Sequence, residues 1–267
     1  MATLLTEIAA RTNSFSQVVV YAFEYETPSS PFLAKKASYR TATAPIDITV
    51  TDNIMAVTDL MKSVSLVEYK RGTAGLPDTL SEAARHYETL WGTAIANVAD
   101  NTYLESDAEG NLIVLQRDVT SYAEEDRRRL RVTSEMLLGE MVNRIRRIDV
   151  QPTPNATVIP RAFLATVDGS IYLFALIAPG KQDLLMRMQA NMAQMVRSPG
   201  HVAFNKFRGF RSAVRDMGEE GPVRFVDGEL VEAFLDLDDA GQEKVVEGLE
   251  VGVEEVRGIV EALRRIH

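Results

Sequence analysis

Asp107-Ala108-Glu109-Gly110-Asn111-Leu112-Ile113-Val114-Leu115 is the stretch on which the fold turns. An Asp opens a short turn, a Gly falls just before its end, and a run of apolar, strand-favouring residues follows, with Tyr103-Leu104 upstream. That order describes a hairpin tip feeding a strand. The same grammar recurs in Asp59-Leu60-Met61-Lys62-Ser63, between Ile54 to Val57 and the burst ending at Tyr69. It recurs again in Asp168-Gly169-Ser170, between Ala162 to Val167 and the burst ending at Ile177; what all three share is the Asp and the short turn, since Asp59 to Ser63 holds no Gly. Gln17 to Tyr21 forms a further burst. Aligning Gln17, Ser63, Asn111 and Ser170 gives separations of 46, 48 and 59 residues, an internal repeat. Four-stranded repeats of roughly 40 to 50 residues mark β-propeller blades, although a β-sandwich also spaces its strands evenly. The last interval is stretched by two segments that read as surface insertions, Ala123 to Arg131 and Gln151 to Asn155.

About three and a half such units fit into residues 1–180, fewer than a closed ring needs. After Pro179 the apolar period becomes helical. Leu185, Met188, Met192 and Met195 form a core stripe, while Arg187, Gln189 and Gln194 point elsewhere. Phe204 to Arg215 interleaves Phe204, Phe207 and Phe210 with basic residues, and reads as an amphipathic helix whose aromatic face packs on the strands. Asp227 caps a helix carrying Leu230, Val231, Phe234 and Leu235, and Asp238 or Asp239 caps one carrying Val245, Val246 and Leu249. A last helix, from about Val253 to Ile266, has Glu254 and Glu255 in its first turn and Arg264 and Arg265 in its last, both complementing the helix dipole. The expected fold is therefore mainly β with an α-helical C-terminus: a partial β-propeller over 1–180 and a helical unit over 181–267.

Composition narrows the chemistry. With 46% hydrophobic and 25% charged residues the chain is an ordinary globular sequence. It has no cysteine, which removes disulfides, zinc–thiolate sites and thiol nucleophiles together. His86, His201 and His267 are scattered, without the spacing of a metal site or a Ser–His–acid triad, and each reads as structural or solvent-facing. Walker A, GxGxxG and GxSxG motifs are missing, and Glu124–Glu125 and Glu219–Glu220 read as solvated faces rather than a general-acid couple. An enzyme is not expected, nor any metal or cofactor. No apolar run is long enough to span a membrane, and Met1 to Glu7 lacks the pattern of a secretion signal. The net charge of −9 is concentrated in residues 216–267, which carry 15 acidic and 5 basic residues. Such a tail repels phosphate and suits a protein partner. Arg127, Arg128, Arg129, Arg131, Arg144, Arg146 and Arg147 read as an ion-paired outer blade edge, with phosphate binding as the alternative.

Longer strings carry a family resemblance. Phe225-Val226-Asp227-Gly228-Glu229-Leu230-Val231-Glu232-Ala233-Phe234-Leu235-Asp236 and Val260-Glu261-Ala262-Leu263-Arg264-Arg265-Ile266-His267 resemble the terminal segment of the damage-specific DNA-binding protein subunit 1 family. Asp59 to Val64 with Glu68-Tyr69-Lys70, Trp91, Asn111-Leu112 with Gln116-Arg117-Asp118, Leu138 to Asn143 and Thr166 to Gly169 match in the same order. Fungal relatives in repair and heterochromatin and the wider cleavage and polyadenylation factor A subunit family are similar to it.

The resemblance implies a non-catalytic scaffold of the nucleus, with the cytoplasm as a second compartment: the adaptor that hangs substrate receptors on a cullin-RING ubiquitin ligase in DNA repair or chromatin regulation. It would correspond to the second half of a third propeller plus the helical domain, one wall of a cleft that takes a helical motif from the receptor. The propeller that holds the cullin lies outside it, and the open ring leaves strand edges exposed to aggregation. Carried across by position, the receptor-facing residues are Leu60, Met61 and Lys62, Trp91, Met141 and Asn143, and Val167. Lys62 and Met141 differ in type from the arginine and aromatic the family often shows. Trp91 fits either this interface or the buried centre of the ring. The alternative function is a nucleic-acid-binding subunit of an RNA-processing or damage-recognition complex, suggested by the arginines and the basic aromatic stretch.

Overall fold

The computed structural model describes residues 8–13, 16–27, 30–73, 75–213 and 221–266. The expectations for Met1 to Glu7, for Val214-Arg215 at the end of the aromatic stretch, for Asp216, for Glu219–Glu220 and for His267 fall outside these. Among the described residues, fourteen strands form four antiparallel meanders. The first blade holds β1 (Ile8–Asn13), β2 (Gln17–Thr27) and β3 (Ser30–Arg40). The second holds β4 (Pro45–Thr51), β5 (Ile54–Asp59), β6 (Ser63–Lys70) and β7 (Thr79–Arg85). The third holds β8 (Gly92–Ala99), β9 (Thr102–Asp107), β10 (Asn111–Arg117) and β11 (Leu130–Leu137), and the fourth β12 (Val142–Arg147), β13 (Val158–Thr166) and β14 (Ile171–Ile177).

The repeat maps onto this register: Gln17, Ser63 and Asn111 open β2, β6 and β10, and Ser170 immediately precedes β14; β6, β10 and β14 are the third strands of their blades, and β2 is the second of the three described in the first. Tip chemistry sets the turns. Gly110 and Gly169 sit at φ of 85° and 95°, the left-handed residue that closes a three-residue hairpin loop. The carboxylate of Asp107 accepts from the backbone N–H of Glu109 (3.0 Å) and Asn111 (2.9 Å). In the fourth blade Thr166 takes that part, its hydroxyl accepting from the Ser170 N–H at 3.0 Å, while Asp168 lies in the tip. The stretched interval holds α1 (Glu124–Arg127) between β10 and β11 and an irregular loop between β12 and β13.

Strand alternation sends successive side chains to opposite faces, so each blade contributes to two cores. Met55 and Val57 of β5 pack with Val18 and Val20 of β2. Ala56, from the other face of β5, packs with Ile95, Tyr103 and Ile113 of the third blade. Leu104 and Leu112, from that blade's other face, pack with Ile145 and Leu164 of the fourth. The first-position strands β4, β8 and β12 lie against one another at the inner side of the arc. This places Arg144, Arg146 and Arg147 on the innermost strand of their blade, whereas Arg127 to Arg131 lie on the outer side. The expected single outer-edge cluster is thus two separate groups, because β12 opens a new blade after β11 closes the last.

The helices are α2 (Gln182–Met195), α3 (Phe204–Arg208), α4 (Gly228–Glu232), α5 (Asp239–Val246) and α6 (Val253–Arg264). Leu185, Met188 and Met192 are buried along α2 as the stripe required. Gln189 is buried too, its amide donating to the Phe225 carbonyl and its carbonyl accepting from the Asp227 N–H. Asp227 and Asp238 cap α4 and α5, accepting from the N–H of Glu229 and Gly241. The aromatic stretch does not form one amphipathic helix. α3 ends before Gly209, with Phe204 in the helical core and Phe210 in the core between the second and third blades.

Candidate docking face

In an antiparallel meander, the β5–β6, β9–β10 and β13–β14 tips share one end with the connections that enter each new blade. Backbone hydrogen bonds lace these loops into a continuous rim. The Leu60 N–H donates to Ala44 O at 2.8 Å, and the Ser63 N–H to Leu90 O at 3.3 Å. The Ala108 N–H donates to Trp91 O at 2.9 Å, and the Leu138 N–H to Gly110 O at 2.9 Å. The Val167 N–H donates to Met141 O at 3.0 Å. Ala44, Trp91 and Met141 each immediately precede the first strand of a blade, and Leu60, Ala108 and Val167 each open a tip. Four of the seven candidate residues, Leu60, Trp91, Met141 and Val167, therefore fall on these two equivalent positions, and Met61, Lys62 and Asn143 lie within two residues of them.

Leu60, Met61, Lys62 and Val167 are exposed, and Met141 is half-buried. Trp91 is 58% exposed, so it stands on the rim and not in the buried centre of the ring. Asn143 is exposed two residues into β12, at the bulge between Val142 and Arg144. Glu140 stiffens the rim beside Met141: it accepts from the Thr166 hydroxyl (2.7 Å) and the Tyr172 hydroxyl (2.8 Å). Those two bonds, the Thr166 one first, hold its carboxyl below the ordinary range.

The basic residues are largely spoken for. Arg144 donates to Asp47 at 3.0 Å, Arg147 pairs with Asp149, Arg128 with Glu124 and Arg131 with Asp126. Arg208 is buried between Asp227 (2.6 Å), Glu229 (3.1 Å) and the Leu138 carbonyl (2.7 Å), over the ring of Phe207.

Beneath the rim lies a cluster that sequence spacing did not disclose. Ser63, His86 and Glu105, the latter two 23 and 42 residues from Ser63, meet between the second and third blades. Ser63 Oγ lies 2.9 Å from His86 Nδ1 and donates to Glu105 Oε2 at 2.6 Å, while Thr58 Oγ1 donates to Glu105 Oε1 at 2.8 Å. Here a histidine does sit beside a serine and an acid. The order differs from a nucleophile triad, however: the hydroxyl lies between imidazole and carboxylate, and all three side chains are buried. The only sequence hint is Glu105 itself, an acid inside a strand.

A family model described as the CPSF A subunit region matches residues 13–236. The chain belongs to that family. DNA damage-binding protein 1 of Schizosaccharomyces pombe is 30% identical over 252 residues, 92% of this chain and 22% of that protein. DNA damage-binding protein 1b of Arabidopsis thaliana is 32% identical over 218 residues, covering 80% of this chain and 19% of the relative. DNA damage-binding protein 1 of Drosophila melanogaster is 28% identical over 260 residues, with 91% and 22% covered. The chain thus spans about a fifth of the length of these CPSF A relatives. The matched span ends with the last residue of the Phe225 to Asp236 string, so it takes in both the blades and the first part of the tail.

Proposed function

We propose that this chain is a non-catalytic scaffold of the ubiquitin-ligase adaptor type, with a blade unit over 1–180 that docks substrate receptors and a helical unit over 181–267 that braces it. The observation that carries this reading is the laced rim. It presents an exposed tryptophan, exposed aliphatic residues and single polar anchors on a backbone already fixed by hydrogen bonds, which suits an amphipathic helix laid across it. Preorganisation keeps the entropic cost of docking low. Leu60, Met61, Trp91, Met141 and Val167 supply apolar contact, and Lys62 and Asn143 orient the helix. A cullin would be reached only through a propeller outside this chain, and the work would be nuclear, in DNA repair or chromatin. Burial of Ser63, His86 and Glu105 supports the absence of turnover, since substrate has no path to them.

Trp91 is the chain's sole tryptophan, so the test has a built-in reporter. A synthetic amphipathic helix taken from a substrate receptor should shift Trp91 emission to the blue on binding. Val167→Asp or Met61→Asp should weaken binding at least tenfold, the loss expected of a central apolar contact, about 2 kcal/mol. Affinity should change little with added salt. An unshifted emission, or binding unaffected by either variant, sinks the proposal. Binding of single-stranded DNA that falls steeply with salt would favour the nucleic-acid reading instead.

A further inference from the structure

Glu105 occupies a position that the neighbouring blades give to hydrocarbon. It pairs across its hairpin with Ile113, as Val57 pairs with Ser65 and Leu164 with Tyr172, each two residues beyond the shared repeat start. Val57 and Leu164 are both buried in inter-blade cores. Blade packing therefore does not require an acid there, and burying an ionised one is costly. Ser63, at its side, holds a φ of 55°, a left-handed conformation costly for a residue with a Cβ. Gly92 keeps the space open: a Cβ there would stand 2.0 Å from Thr58 Oγ1 and 2.9 Å from Glu105 Oε1. A fully buried carboxyl, a strained serine and a glycine forced by close approach are together more than a packing device needs.

We infer that Glu105, Ser63 and His86 form a reversible hydrogen-bond chain, which takes up one proton, leaves Glu105 protonated and reverses its direction of donation, switching the His86 tautomer at the joint between the second and third blades. With Glu105 ionised, His86 Nδ1–H donates to Ser63 Oγ and Ser63 donates to the carboxylate. With Glu105 protonated, its O–H donates to Ser63 Oγ and Ser63 donates to a bare His86 Nδ1: the Nδ1 hydrogen has passed to Ser63, the Ser63 hydrogen to Glu105, and the entering proton has gone onto the ring at Nε2. One proton enters from solvent, the ring stays neutral, and every heavy atom can remain in place. The other titratable groups on the strands around Glu105 and His86 include Asp47 on β4, Asp59 on β5, Glu68, Tyr69 and Lys70 on β6, Glu82 and Arg85 on β7, Tyr103 and Asp107 on β9, and Arg117 on β10. Asp59 is held by Thr43 and the Met61 N–H, Asp107 by Asn111, and Asp47 by Arg144. Burial pushes the Glu105 carboxyl up to about 7, against the pull of the Ser63 and Thr58 hydroxyls and with a smaller push from Asp107.

The sign of the linkage follows. A carboxyl raised from its ordinary value stabilises the fold fully below that value, and the contribution is lost as pH rises through the folded one. Nitrogen-15 NMR of the whole chain between about pH 5 and pH 8 reads the switch directly. His86 Nδ1 should appear bare at the acid end and protonated at the alkaline end, with a neutral ring throughout. Glu105→Leu should fold, because Leu164 fills the equivalent place, and it should abolish the switch. Its melting temperature relative to the natural chain should climb as pH rises through this range. An imidazolium at the acid end, a tautomer that never changes, or a switch that survives Glu105→Leu overturns the inference.

Discussion

Arg208 is a charge committed to the interior. Its guanidinium spends its donors on Asp227, Glu229 and the Leu138 carbonyl, and Asp227 in turn caps α4 and donates its N–H to Gln189. One side chain thereby ties α3 to α4 and both to the loop entering the fourth blade. Removing one partner of a buried pair leaves the other charge unsatisfied, which costs roughly 3–5 kcal/mol, whereas replacing both by hydrocarbon is often close to neutral. Arg208→Ala should therefore lose stability on that scale by urea denaturation, and Arg208→Met with Asp227→Leu should lose markedly less, the remainder being the lost cap of about 1 kcal/mol. Equal losses in the two would mean that the pair matters for its shape and not its charge.

At the scale of elements, what was legible in the sequence was local. Hairpin tips were readable because Asp107, Gly110 and Gly169 solve a turn within five residues, and helix starts because Asp227 and Asp238 cap within three. The seven candidate rim residues came from family resemblance, and their convergence follows from the meander, which returns every tip to the same end. The aromatic stretch misled because its spacing of three mimics a helix while Phe204 and Phe210 serve different cores. Ser63, His86 and Glu105 were illegible for the opposite reason: their meeting depends on packing between blades, which no local period records. β14 shows a further consequence. At the same blade position, β6 and β10 are mostly buried, but β14 is mostly half-exposed, with Ile171 73% exposed. Among the described residues no strand pairs with its outer edge. A long apolar edge is a template for pairing with another chain. Sedimentation velocity should show this chain self-associating with concentration, and Ile171→Lys should shift it toward monomer; an unchanged distribution would place the sticky edge elsewhere.

At the scale of the molecule, the decisive question is whether blades and helices unfold together. The tail is threaded through the blades rather than hung beside them. Asn111 clamps the Arg211 backbone from both sides, its Oδ1 accepting from the N–H at 2.9 Å and its amide donating to the carbonyl at 2.8 Å. Val223 and Glu135 exchange backbone hydrogen bonds of 3.0 and 2.8 Å, adding the tail to the edge of β11. Phe210 fills the core between the second and third blades, and Phe225 the core between the third and fourth, with its ring edge-on to Phe174. Contacts shared in this way couple the two parts, because neither buries its apolar surface without the other. Trp91 fluorescence reports the rim and far-ultraviolet circular dichroism the helices, so one thermal scan reads both. Their transitions should superimpose. Phe210→Ala opens a cavity in a blade core from a residue of the tail, at a cost of about 3–5 kcal/mol, and should lower both transitions by the same amount. Two separated melts, or a Phe210→Ala effect confined to one probe, would mean that blades and helices are independent units joined only by the chain.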